Sequence, residues 1–457
     1  MHLSTDSSDN KYSTVHRGDN KASSIGKVTS TDIPLDSMRQ PEGNLAGISS
    51  ADKTHSSRAS WLKWYAALKH ILPVYIAIHL AIFVTSCLAF LFTVKDFSPQ
   101  GLPIYTLWQQ WHYWDTSNFS HIALHGYFQL HVAGFFPLYP LLERVLMFGT
   151  HDPLVAGLII SNVFELIMFT ALYRLIEEDF NGERGYYTVL YFAIFPSAFF
   201  FSAAYSESLF LCLSILSFYY IRHGRWWLAG LFGFLASLTR PDGVFLLVPF
   251  CYEYLSRVWQ QQGAGYPLML SREQITRLLK GIRFDVLIGL CIPAGIALYA
   301  AYCYYQFHDP LAFVHAHADW NRTLHFPGWG ILKSTEALFR DGFLSFLTMR
   351  NAIDLGADLL IFTLITLIFI GPWKLPISMW SYGLYAAIIY LYFQLFPIGI
   401  SLYPLESMSR FVLEIFPAFI MLARISKYRT LHLSYCMMSG AILFFLLTQF
   451  LTGHWVI

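Results

Sequence analysis

Apolar residues in this chain come in long, nearly unbroken runs. The first covers roughly 66–94, and further runs lie at about 154–175, 186–201, 208–221, 226–238, 244–254, 284–305, 353–371, 377–396, 411–423 and 433–451. A bilayer core about 30 Å thick is crossed by about 20 apolar residues in a helix. The pattern therefore predicts an all-α polytopic membrane protein of about 11 transmembrane helices. Several runs are short for a span. The pair 226–238 and 244–254, joined by Thr239-Arg240-Pro241-Asp242-Gly243, reads as a segment that enters and returns. Irregular backbone at that depth is tolerated only where it lines a cavity in the protein. Between the first two runs, 95–152 is mixed, rich in tryptophan and histidine, and predicts short amphipathic helices in a loop.

Residues 1–60 are rich in Ser, Thr, Asp, Asn and Lys and contain no apolar run of seven or more. They predict a disordered tail rather than a signal peptide, followed by a transmembrane domain over 61–457. Composition agrees: 55% of the residues are hydrophobic, 18% aromatic and 13% charged, against an apolar share of roughly 45–50% in soluble domains. An ordinary soluble enzyme is excluded. The 30 Lys and Arg nearly cancel the 29 Asp and Glu, so nothing suggests nucleic acid as a partner. The six cysteines sit in or beside apolar stretches without a CxxC, which predicts neither a disulfide framework nor a zinc knuckle. Of the 30 basic residues, 22 fall in the tail and on loops of its side, and 8 on the other. The bias of Lys and Arg toward cytoplasmic loops puts the tail inside and, with eleven spans, the C terminus outside. The two longest outer loops, about 95–152 and 306–352, then face one compartment together with the connections near 201–207, 239–243 and 397–410.

Those outer segments hold the candidate chemistry. In the first loop, Trp111-His112-Tyr113-Trp114-Asp115 precedes a helix on which 115, 119, 122 and 126 share a face. Asp115 would stand beside an aromatic stripe lying along the membrane surface, as a candidate base; it also reads as a helix N-cap, and the two are compatible. Gly134-Phe135-Phe136-Pro137-Leu138-Tyr139-Pro140 could form a kinked re-entry lining a groove, but by itself the composition favours an interfacial aromatic belt. Glu207, at a span end, points into a protein cavity or caps its helix. Arg240 forms an ion pair with Asp242 or meets a phosphate, for which its forked guanidinium is suited. Arg322 and Arg410 are two more outer arginines next to apolar spans. His121 with His125 and His315 with His317 have chelating spacing but no HExxH and no acid cluster, so interfacial histidines are expected and no metal or other cofactor is assigned, without excluding a divalent ion. No glycine-rich phosphate loop is present.

As a set, Trp114-Asp115 with Phe119, Ile122-Ala123 and Gly126-Tyr127, then Phe135-Phe136-Pro137-Leu138-Tyr139-Pro140 and Tyr205-Ser206-Glu207-Ser208-Leu209-Phe210, resemble the phosphatidylinositol-glycan class V family, GPI mannosyltransferase II and its bacterial relatives. Leu235-Ala236-Ser237-Leu238-Thr239-Arg240-Pro241, Asp309-Pro310-Leu311-Ala312-Phe313 with Trp320 and Arg322, and Ser409-Arg410-Phe411 with Phe416-Pro417 continue the likeness, which runs from about 108 to 423. It implies a GT-C type glycosyltransferase bundle, a polyprenyl-phosphate sugar as donor and a catalytic acid in the first outer loop, at Asp115. The compact outer loops and the polar tail depart from the family pattern, so a bacterial or archaeal glycolipid acceptor stands beside a GPI precursor.

The expected reaction is single inverting displacement, with Asp115 as base, Arg240, Arg322 and Arg410 on the donor phosphate, and Trp114, Glu207 and Asp242 binding the acceptor or orienting the arginines. The membrane would be the plasma membrane in a prokaryote or the endoplasmic reticulum in a eukaryote, the site facing the outer or lumenal side. Two sequons, at Asn118 and Asn321, fall on that side; a glycan beside Asp115 would obstruct it, which favours the prokaryotic setting. The rival classes are a transporter or flippase of a lipid-linked sugar and a non-catalytic scaffold. Glu165, midway along 154–175, is the clearest acid deep in an apolar run and gives transport thin support, while no internal repeat or inverted symmetry supports a carrier.

Overall fold

The computed structural model describes residues 51–93, 105–261, 272–316, 321–340, 342, 345–399 and 402–456. Most of the tail expected to be disordered, residues 1–50, lies outside the described residues, as do Lys95, His317 and Trp320; residues 51–60 are helical. The chain divides into two units, Met1–Ser56 and Ser57–Ile457, and the bundle is the second. Among the described residues every regular element is a helix, and one isolated antiparallel bridge joins Arg322 to Ile398.

The chain opens with α1 (Ala51–Thr93), then the short helices α2 (Tyr105–Gln109), α3 (Asp115–His125) and α4 (Leu138–Thr150). A helical run follows: α5 (Pro153–Asp179), α6 (Gly182–Ala193), α7 (Glu207–Arg222), α8 (Trp226–Thr239), α9 (Leu247–Gln261), α10 (Arg272–Gly281) and α11 (Cys291–Phe307). The second long loop contains α12 (Ala312–Ala316) and α13 (Trp329–Arg340), and the remainder is α14 (Phe346–Phe369), α15 (Trp380–Leu395), α16 (Met408–Phe411), α17 (Phe416–Leu422) and α18 (Arg429–Leu451).

Among the described residues, five helices are long and apolar enough to cross a membrane: Trp61–Leu91, Pro153–Asp179, Phe284–Phe307, Thr348–Phe369 and Arg429–Leu451. The helices α6 to α9 and α15, of 12 to 16 residues, are shorter.

The apolar runs at 186–201 and 411–423 are not continuous helices. The first breaks after α6 and resumes as a 3₁₀ turn at Ala198–Phe201; the second is divided into α16, a 3₁₀ turn at Val412–Glu414 and α17. Hydropathy cannot see such breaks, because a buried turn and a buried helix carry the same apolar side chains. The physical condition is that protein surrounds them, and here Phe199, Phe201, Ala203, Ile415 and Phe416 are fully buried.

The short helices of the first loop do not all lie on the membrane surface. α4 is two-faced: Leu141, Val145 and Phe148 are exposed while Tyr139, Pro140 and Glu143 are buried, the spacing of an interfacial helix. On α3, the face expected to lie along the surface turns inward. Phe119 and Ile122 are buried, and Phe119 packs on Phe135 (5.1 Å between ring centroids) and Tyr139 (4.8 Å). An apolar stripe fits lipid and protein equally, and here α4 and α5 supply the cover. The Phe135–Tyr139 segment is likewise interior rather than an interfacial belt: Phe136 and Tyr139 are buried, and the Tyr139 hydroxyl donates to the Gly157 carbonyl at 3.0 Å.

In the centre, α5 packs on α7, α7 on α8 and α8 on α11. Within a bilayer such association depends on close packing, which small residues permit. A Cβ at Gly295 of α11 would come within 2.5 Å of the Phe234 carbonyl oxygen on α8, so glycine sets that crossing distance. α7 carries charge at both ends: Glu207 begins it, and at its other end Arg222 pairs with Asp179 (2.7 Å) and Glu253 (2.6 Å). Fifteen steps of 1.5 Å separate these clusters by about 22 Å.

Candidate active site

The helix breaks deliver their charged residues to one cavity of about 470 Å³, within the usual range for small-molecule sites. Asp115, Arg240, Asp242, Arg322 and Arg410 all line it. They come from the start of α3, the turn after α8, the bridge segment at 321–325 and α16.

Asp115 is the first residue of α3, and the cap position before it is Trp114, held at φ 56° without a capping hydrogen bond. Positive φ is costly for a residue with a large side chain. The result is that the Asp115 carboxylate does not close its own helix but meets Arg410, with Oδ2 at 2.7 Å from Nη2. Trp114 packs edge-to-face on Trp455, 4.4 Å between centroids, and Trp455 is a wall of the cavity.

Glu207 sits behind the cavity wall, 1% exposed. Its Oε1 pairs with Arg410 at 2.5 Å and with Arg240 at 3.0 Å. Arg240 also reaches Glu414 at 2.8 Å and Asp242 at 3.7 Å. Arg410 lies over the rings of Tyr205 (4.7 Å) and Phe200 (5.0 Å). Burial works to lower the pKa of Arg410, but Glu207 and Asp115 overcome it and raise it; Arg240 follows the same balance with Glu414 and Glu207. Burial raises Asp242, against the pull of Arg240.

Arg322 differs. It donates to the Phe396 carbonyl at 3.1 Å and lies 4.7 Å over the Phe411 ring. No carboxylate of the described residues pairs with it, and burial holds its guanidinium below the ordinary value. It is positioned by backbone bonds that tie 321–325 to the end of α15: Thr323 N to Pro397 O (3.2 Å), His325 N to Leu395 O (2.9 Å) and Gly399 N to Asn321 O (3.0 Å). A half-buried cation that faces a cavity and has no ion-pair partner among the described residues is poised for an anionic ligand.

The turn that presents Arg240 depends on Gly243. A Cβ there would lie 2.5 Å from the Ser237 nitrogen and 2.7 Å from the Ala236 carbonyl carbon. Those neighbours are helix backbone and cannot step aside. We expect Gly243→Ala to cost roughly 1–3 kcal/mol, the range for overpacking, read as a lower melting temperature of the purified protein; a melting curve like wild type would show the turn has room.

Three groups absent from the sequence reading belong to this site. Glu414 pairs with Arg240, Glu406 lines the cavity, and Trp455 donates from Nε1 to Glu406 Oε1 at 2.7 Å. Glu414 left a signal, since an acid inside the apolar run 411–423 points into protein; Glu406 and Trp455 left none. His121, His125 and His315 lie elsewhere: His121 packs against His125 with tilted rings 4.6 Å apart, and His315 meets Asp309 at 2.6 Å. Among the described residues no group of three or more His, Cys, Asp or Glu is arranged to hold a metal ion. Glu165 is bound by Ser202 at 2.9 Å with His79 at 3.5 Å, and does not line the cavity.

Comparison with known proteins addresses the same residues. The family model Mannosyltransferase (PIG-V) matches residues 102–327. GPI alpha-1,6-mannosyltransferase 2 of Cricetulus griseus is 27% identical over 215 residues, covering 43% of this chain and 41% of that protein. GPI mannosyltransferase 2 of Schizosaccharomyces pombe is 28% identical over 176 residues, 38% of each. The chain thus spans about two fifths of the length of the curated relatives it matches. Among solved structures, the Archaeoglobus fulgidus oligosaccharyltransferase in complex with Zn and sulfate aligns with a TM-score of 0.41 and 11% identity, over 83% of this chain and 53% of that one. Arg410, Glu406 and Glu414 fall beyond the matched stretch, which holds Asp115, Glu207, Arg240, Asp242 and Arg322, and it is over residues 102–327 that this multi-pass membrane protein is similar to the Mannosyltransferase (PIG-V) family.

Proposed function

We propose that this protein is an integral-membrane mannosyltransferase of about eleven spans that moves a hexose from a polyprenyl-phosphate sugar to a glycolipid of the GPI-precursor type. The observation that carries the reading is the convergence of the Asp115 carboxylate and three arginines, Arg240, Arg322 and Arg410, on a single cavity. The acceptor hydroxyl oxygen attacks the anomeric carbon and its proton passes to Asp115. The bond to the donor phosphate breaks, and the lipid phosphate leaves with the electron pair. A phosphate leaves readily, so one carboxylate suffices and the developing charges are met by electrostatics. Each well-placed donor contributes on the order of 3 kcal/mol in comparable oxyanion sites. Single displacement inverts the centre, so a β-linked donor yields an α-linked product.

Arg322 takes the largest share of the phosphate, because Arg240 and Arg410 already have carboxylate partners. Glu207 and Asp242 orient the arginines. The acceptor ring sits at the Trp455 wall, where Glu406 accepts its hydroxyls. The tail lies on the cytoplasmic side and the cavity opens to the outer or lumenal side.

The test is transfer of radiolabelled mannose from polyprenyl-phosphate-mannose to a lipid acceptor extract by the purified protein in nanodiscs. Label in a new glycolipid is the expected result. Donor that binds, or crosses the bilayer of a proteoliposome, without any new glycosidic bond would instead identify a carrier.

A further inference from the structure

Arg410 stands on the short helix α16, and the chain enters it through a backbone shape that is not favoured. Ser407, three residues earlier, is held at φ +69°, a region that a non-glycine residue adopts only when its surroundings impose it. The surroundings are three side chains on one face of the first turns of α14. Asn351 Nδ2 donates to the Leu402 carbonyl at 3.2 Å, Arg350 Nη2 to Glu406 Oε1 at 3.2 Å, and Asp354 Oδ1 accepts from the Ser409 N–H at 2.9 Å. Positions 350, 351 and 354 lie on one side of a helix, and all three residues are buried.

From the other side Ser197, in the break after α6, donates its hydroxyl to the Ser409 carbonyl at 2.5 Å. The residue preceding Arg410 is therefore gripped at both its N–H and its C=O. Asp354 does not line the cavity that holds Asp115 and the arginines; it lines a small separate pocket of about 40 Å³ with Arg350 and Ser409.

We propose that Asp354 is a positioning residue. By fixing the Ser409 N–H it sets the Arg410 guanidinium where that group serves Asp115 and the donor phosphate at once. The inference rests on the transferase reading for the identity of the phosphate but is tested without turnover.

The experiment is a mutant cycle on affinity for polyprenyl phosphate, measured with the full-length protein in nanodiscs, with a melting curve for each variant. Asp354→Leu removes the acceptor and is expected to weaken binding ~10-fold or more, the scale of one lost hydrogen bond to a charged group. Asp354→Asn keeps an acceptor oxygen at Oδ1 and is expected to stay within about threefold of wild type. In an Arg410→Lys background, Asp354→Leu adds no further loss, because the group it positions is gone. Ser197→Ala releases the other side of the grip and gives a smaller loss in the same direction; if Asp354→Leu does not fold, this variant with and without Arg410→Lys decides.

Equal losses from the Leu and Asn variants, or the same loss whether or not Arg410 is present, would overturn the proposal and leave Asp354 a packing residue. A wild type that binds polyprenyl phosphate but forms no glycosidic bond removes the transferase reading and leaves this cycle intact. A wild type that does not bind polyprenyl phosphate overturns both.

Discussion

Asp115→Asn is expected to lower the turnover number for mannose transfer by roughly 10²-fold or more, the contribution of a positioned general base, with little change in the apparent affinity for donor. The amide has the shape of the carboxylate but cannot take a proton. The site around it should persist, because Arg410 keeps Glu207 at 2.5 Å when its contact with Asp115 Oδ2 is weakened. α3 should also persist, since the Asp115 side chain does not cap it. The measurement is initial-rate kinetics with radiolabelled donor at several donor and acceptor concentrations, beside a melting curve. Wild-type turnover in a folded variant would remove Asp115 from the chemistry.

The second large effect is expected at Arg322. Replacing it with Gln should raise the donor KM roughly 10- to 100-fold, the loss of charge-assisted hydrogen bonds worth about 1.5–3 kcal/mol. Arg322→Lys should fall between, since it keeps the charge and loses the fork. The reason for singling out this arginine lies in its neighbours. Arg240 is held by Glu207, Glu414 and Asp242, and Arg410 by Glu207 and Asp115. Arg322 has a carbonyl and an aromatic face. Arg240→Lys serves as the contrast: with three carboxylates around it, its loss should lower the melting temperature more than it raises the donor KM. If Arg322→Gln left the donor KM unchanged, or shifted acceptor and donor alike, the phosphate would have to be placed elsewhere in the cavity.

Much of this arrangement was legible in the amino-acid order. Long apolar runs announce membrane helices because the bilayer imposes one length and one polarity on anything that crosses it. Asp115, Arg240, Arg322 and Arg410 stood out because a charge beside hydrocarbon needs a reason, and the structure brings all four to one cavity. What the pattern could not convey was which apolar surface meets lipid and which meets protein. The stripe of α3 and the Phe135–Tyr139 segment both fit a membrane interface and are both interior. Partners were equally hidden. Glu207 and Arg410 pair across 203 positions of chain, and Glu406 and Trp455 across 49. No local signal carries such pairings, since each depends on how breaks in different helices are brought together.

Glu207 divides one oxygen between Arg240, at the end of α8, and Arg410, on α16. A carboxylate shared in this way works as a balance beam. The turn at 239–243 and the segment that carries Arg410 thus hang on one buried oxygen, although Glu207 does not itself line the cavity.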